Sequence, residues 1–135
     1  MDISGVQQNG RNTQKRIYQI SESIIFCKTD EPFGGLSNMA AGYSIMVNGI
    51  KILTSEALYQ ACRFPALPEV QQLIIDQRSP MTAKMKPKPH RKQTRLDWEQ
   101  NKVKIMRWCL HVKLAQNYDK FSRLLLETGD KPIVE

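Results

Sequence analysis

The chain has 135 residues, of which 41% are hydrophobic, 24% charged and 7% aromatic, a composition that fits one soluble globular domain and excludes a disordered or fibrous polymer. No apolar run approaches the roughly 20 residues of a membrane span, and residues 1–16 lack the apolar core of a signal peptide, so a cytoplasmic protein without a membrane partner is expected. Twenty basic against 13 acidic residues give a net charge of +7, which suits anionic partners.

Residues 1–15, rich in Gln and Asn and poor in apolar anchors, read as a mobile tail, with a single domain over 16–135. The run IYQISESIIFCK from Ile17 predicts a strand that ends in the loop EPFGGLSNMA, where Pro32, Gly34 and Gly35 stop it. YSIMVNGIKIL predicts a hairpin, because Asn48-Gly49 is the pair a type I′ turn requires and the flanks alternate. In TSEALYQACRF, Thr54 is a natural N-cap and places Glu56 in the first turn, where free amides and the helix dipole favour a carboxylate. Glu56, Tyr59, Gln60 and Arg63 recur at i, i+3, i+4 and i+7 and share one helix face, while Ala57, Leu58, Ala61, Cys62 and Phe64 form an apolar side. Periodicity alone reads that polar stripe as a solvated surface.

Helices are predicted over Pro68–Gln77 and Pro80–Met85. KMKPKPHRKQTR then carries Lys84, Lys86, Lys88, Arg91, Lys92 and Arg95 with no acidic residue. Pro87 and Pro89 forbid a regular helix there, so an extended basic surface loop is expected, suited to phosphates, including those of nucleic acid, or serving as a stiff solvated linker. Thr94 and Asp97 have capping-box spacing ahead of a long helix to about Asn117. In that helix Val103, Met106, Leu110 and Leu114 form a stripe, broadened by Trp98, Ile105, Cys109 and Val112, so it is expected at the centre of the fold. A helix over Asp119–Thr128, stopped by Gly129, and a strand beginning in KPIVE complete the chain. This order predicts an α+β fold, a small and mostly antiparallel sheet covered by several helices.

Cys27, Cys62 and Cys109 are odd in number and widely spaced, and read as reduced core thiols. His90 and His111 have no partner at ligand spacing, so neither a metal nor a cofactor is expected.

The order of PFGGLSNMA, TSEALYQACRF, SPMTAKM, RLDWEQNKVKIMRWCLHVKLAQN and KFSRLLLETGDKPIVE resembles the NADAR family of YbiA-like proteins, over about Ile24 to Glu135. That family is associated with cleaving N-glycosidic bonds, in ribosylated intermediates of riboflavin synthesis or in ADP-ribose attached to a base. The resemblance therefore implies a phosphorylated ribosyl or ADP-ribosyl ligand. Breaking such a bond passes through a ribosyl cation, which calls for negative charge near C1, an activated water and donors for the leaving base. By resemblance Glu56 takes the carboxylate role, with Tyr59, Gln60 and Arg63 beside it. Gly35, Ser37 and Asn38 become candidates for ribose or phosphate contacts, and Trp98 for stacking on a base or for packing.

Arg63 stands where many members have a lysine thought to form a Schiff base with opened ribose, which a guanidinium cannot do, so Lys84 is the candidate substitute. Lys86, Lys88, Arg91 and Lys92 are expected to meet phosphates. The family pattern continues beyond the Ile-Val-Glu that closes this sequence, so a C-terminally shortened domain with part of the site is expected. A homodimer or complementing chain would supply the remainder, or the protein would bind ADP-ribose or nucleic acid without turnover.

Overall fold

A computed structural model describes residues 16–135, so the tail expected over 1–15 lies outside the described residues. The strand expected from Ile17 is cut down to Ile24–Ile25 (β1). Ahead of it Ile20–Glu22 wind into a 3-10 turn, and the Ser23 hydroxyl donates to the Gln19 carbonyl at 2.7 Å. Ser21, Glu22 and Ser23 interrupt the apolar alternation, and a serine hydroxyl offers the backbone a local partner in place of a strand neighbour.

The hairpin forms where expected. Ile45–Val47 (β2) pairs antiparallel with Ile50–Ile52 (β3), and Ile45 lies opposite Ile52. Asn48 and Gly49 have φ of 52° and 78°, the two positive values of a type I′ turn. The helices follow as Ser55–Cys62 (α1), Pro68–Ile75 (α2), Pro80–Met85 (α3), Trp98–Gln116 (α4) and Tyr118–Leu126 (α5). Ile133–Val134 (β4) returns to pair in parallel with β1. The α+β class is thus realised as two separate two-stranded sheets, one antiparallel and one parallel.

The main core gathers Ile45 and Ile52 from the hairpin, Leu58 and Phe64 from the α1 region, Val70 and Ile74 from α2, Ala83 from α3 and Cys109 from α4. Burying each of the Ile, Leu, Val and Phe side chains among them contributes about 1.5–3 kcal/mol. A smaller cluster of Ala40, Tyr43 and Phe121 lies under the glycine loop. The Tyr43 and Phe121 rings meet edge to face at 5.5 Å. Among the described residues no helix is long and apolar enough to cross a membrane.

Three local expectations are corrected. The basic segment is not extended, because Lys88–Gln93 form a 3-10 helix. Its prolines stand at the start, where a missing N–H leaves no helical bond unmade. Thr94 and Asp97 do not form a capping box, since α4 starts at Trp98 and Asp97 makes no side-chain cap bond. Thr94 instead receives a hydrogen bond from Arg63 Nε at 2.8 Å, and Asp97 pairs with Arg95. The stripe of α4 is rotated from its expected setting: Trp98, Cys109 and Lys113 are buried, whereas Val103 is 66% exposed. Of the cysteines, Cys109 is buried and Cys62 half-buried, but Cys27 is exposed, on the turn after β1.

Candidate functional site

Helix α1 begins on its expected cap, with Thr54 Oγ1 accepting from the Ala57 amide at 3.2 Å. Its polar stripe is not a wet surface. Glu56 and Gln60 are each only 7% exposed, because the loop at Asn38 lies across the start of the helix and α4 packs alongside it. The Glu56 amide donates to the Asn38 carbonyl at 3.2 Å, and the Ser55 hydroxyl reaches Asn38 Oδ1 at 3.1 Å. Asn38 Nδ2 in turn contacts Met106 Sδ on α4 at 2.8 Å.

Gln60 Nε2 donates to Glu56 Oε1 at 3.0 Å, an i, i+4 bond that orients the carboxylate. Among the described residues Oε2 has no hydrogen-bond partner, and no wholly buried side-chain oxygen is left unpaired, so Oε2 meets solvent. The result is a shielded carboxylate with one oxygen held and the other open. Tyr59 lies beside it with its ring 5.0 Å from that of Trp98, and its hydroxyl pKa is pushed up, first by burial and then by the charge of Glu56.

The other side of Gln60 lines a small cavity of about 110 Å³ with Arg63, Phe64, Lys84, Pro87, Lys88 and Arg91. That is room for a small anionic group such as a phosphate. Four cations converge there, Arg63 from the end of α1, Lys84 from α3, and Lys88 and Arg91 from the 3-10 helix, which no single stretch of sequence displays. Arg63 is fixed twice, by its bond to Thr94 and by lying 5.4 Å over the Trp98 ring. Lys86 and Lys92 are exposed and do not line the cavity. Trp98 is 5% exposed and braces Tyr59 and Arg63 from behind, which fits packing. On the far side of Tyr59 an open apolar groove of about 410 Å³ runs along Lys102, Val103, Met106, Arg107 and Leu110.

Gly35, Ser37 and Asn38 sit apart from the cationic cavity, on the loop that covers the start of α1. A side chain at Gly35 would meet the Tyr43 hydroxyl at 2.5 Å, so the close approach demands glycine. Ser37 is buried and its hydroxyl is committed within the protein, accepting from the Met39 amide at 3.1 Å and donating to Glu135 Oε1 at 3.2 Å. Beneath the loop stands a residue that sequence reasoning passed over. Lys113 is 1% exposed and donates from Nζ to the carbonyls of Gly35 at 2.6 Å and Ser37 at 3.1 Å. A signal for it exists in the sequence, since it follows Cys109 by four residues and Met106 by seven on one helix face.

Among the described residues no group of three His, Cys, Asp or Glu side chains lies together as a metal cage would require. Cys62 and Cys109 are in thiol contact between α1 and α4. The hydrogen bond from Cys109 pulls the Cys62 pKa down, and that of Cys109 is pushed up by the same contact and by burial.

A family model described as NADAR domain matches residues 25–135. The NMR structure of the E. coli protein YbiA superposes with a TM-score of 0.72 at 32% sequence identity, covering 92% of this chain and 71% of that one. No curated protein matches the chain.

Proposed function

This chain belongs to the NADAR family, and on that footing we propose that it is an N-glycosidase-type protein acting on ribosylated or ADP-ribosylated bases. The observation that carries the reading is Glu56, a carboxylate shielded from water by the fold, oriented through Oε1 by Gln60 and open at Oε2. In the proposed reaction the C1–N bond breaks with its electron pair going to the base nitrogen, which takes up a proton. The ribosyl cation faces the negative charge of Glu56. Water then bonds to C1 and gives its proton to Glu56 and on to solvent, so the carboxylate both stabilises the cation and acts as base.

The cationic cavity supports a phosphate next to that point, because Gln60 belongs to both the carboxylate pair and the cavity wall. In this reading Arg63, Lys84, Lys88 and Arg91 hold the phosphate, and Lys84 contributes charge there as a cation. Asn38 and Tyr59 border the sugar. Substrates of two sources fit equally well, free riboflavin-type intermediates and ADP-ribose on a nucleobase of a polymer.

The test is release of ribose phosphate or ADP-ribose from such substrates, with Glu56→Gln expected to lower the rate by about 10²-fold or more while the fold is kept, as loss of an acid-base group does. Wild-type protein that binds ADP-ribose but turns over none of these substrates would replace the enzyme by a second reading, a binder of nucleotide or nucleic-acid phosphates. The same cationic cavity favours that reading.

A further inference from the structure

Lys113 lies outside the proposed reaction, yet it is the most completely enclosed cation of α4. Its ammonium stands 4.5 Å from the centroids of both Tyr43 and Phe121, so aromatic faces replace much of its lost hydration. The carbonyls of Gly35 and Ser37 accept its hydrogen bonds. Those two carbonyls bracket the turn that presents Asn38 to α1, where the Glu56 amide and Ser55 hydroxyl are bonded. We propose that Lys113 is a positioning residue, a hydrogen-bonding clamp that holds the Gly34–Ala40 loop down so that Asn38 caps α1 and keeps the Glu56 carboxylate in register.

The clamp rests on geometry alone, and its consequence for catalysis rests on the proposed reading of Glu56. It carries its own signature. Burial, aided by the charge of Lys120, pulls the Lys113 pKa down to about 8, with Glu135 opposing. The titratable groups around it are Tyr43 below the ammonium, Lys120 on α5, whose Nζ lies 4.2 Å from the Tyr43 ring, and Glu135, bonded to Ser37. The segment Gly34–Ser37 adds none. A neutral amine still donates to the carbonyls and no longer carries the cost of a buried charge, so deprotonation favours the closed loop.

The experiment is amide hydrogen exchange on the full chain, corrected for intrinsic rates, at pH 7 and pH 9. The Ser37, Ala40 and Glu56 amides, bonded to the carbonyls of Gly34, Ser37 and Asn38, report the loop. The Leu58 amide, bonded to Thr54, reports the fold. In the wild type the loop amides are expected to gain protection between the two pH values, because the closed loop holds Lys113 at the lower pKa and binds fewer protons than the open one, while Leu58 changes less. In Lys113→Met they are low at both, and in Lys113→Arg, whose guanidinium stays charged, they do not change with pH.

Loop protection in Lys113→Met equal to wild type at both pH values overturns the clamp. A lysine that packs without holding the loop would leave the loop amides as protected in Lys113→Met as in the wild type. ADP-ribose affinity that breaks at the same pH ties the loop to the ligand. Loop protection that rises with pH in a wild type unable to bind ADP-ribose leaves the clamp standing and removes the proposed function.

Discussion

Helices α1 and α4 run against each other, and they invert what their sequences suggest. α1 carries Glu56 and Gln60 and buries both; α4, with its apolar stripe, exposes Val103 and leaves Trp108 46% exposed while enclosing a lysine. The difference lies in what covers each helix. α1 is eight residues long and is wrapped by the Asn38 loop, the hairpin, α2, α3 and α4, so hardly any of its faces remains free. α4 has 19 residues and touches the two clusters through Ile105, Cys109, Val112 and Leu114, which leaves Val103 and Trp108 facing outward. A polar residue on a short central helix is therefore a stronger functional signal than an apolar one on a long peripheral helix.

The comparison breaks most visibly in the core. Phe64→Ala, at the end of α1, is expected to cost about 3–5 kcal/mol, whereas Val103→Ala on α4 should stay within about 0.5 kcal/mol. Denaturant midpoints at constant slope measure both. Equal losses would mean that the outer face of α4 is covered in solution.

Next in size is the pH dependence of Lys113. Unfolded, it holds its proton up to the ordinary 10.5, and folded it releases it near 8. Between these values the unfolded chain binds more protons, so stability rises with pH across about 8 to 10.5, by on the order of 3 kcal/mol for a shift of this size. Comparing wild type with Lys113→Met across that range isolates the contribution, and parallel profiles would contradict it. The loop amides are expected to tighten over the same range, because the buried charge that is relieved lies directly beneath the loop.

A smaller effect, about 1 kcal/mol, is expected for Thr54→Ala, which removes the α1 cap seen at the Ala57 amide. It is read as a fall in the thermal midpoint. The smallest stability effect belongs to the cationic cavity, where Gln at Lys84, Lys88 and Arg91 should leave the midpoint almost unchanged yet weaken ADP-ribose binding and flatten its salt dependence. Gln at Lys86 and Lys92, which do not line the cavity, should do much less. Equal losses from the two sets would assign the effect to overall charge instead of to the cavity.

Wherever a local rule acts alone, sequence and structure agree. Asn48-Gly49 makes its turn, Thr54 caps α1, Pro80–Met85 is helical over the expected residues and Gly129 follows α5 with φ of 55°. Where two local rules compete the outcome shifts, as at Ser21–Ser23, where a hydroxyl turn displaced the strand, and at Thr94, whose hydroxyl went to Arg63 instead of to a helix amide. The candidate site was legible as Glu56, Gln60 and Arg63 on one helix face. Lys84, Lys88 and Arg91 were visible only as members of a basic run, with nothing to separate them from Lys86 and Lys92.

By itself, then, the sequence determined the element order, the turns and caps, and through the order of its motifs the family. These follow from backbone preferences and side-chain bonds that span a few residues. Only the tertiary structure decided which polar groups are enclosed, Glu56 beneath Asn38 and Lys113 between two rings and two carbonyls, and which four cations share one cavity. Burial is set by neighbours far off in the chain, 78 residues away in the case of Lys113 and Gly35, and periodicity along a helix carries no record of them.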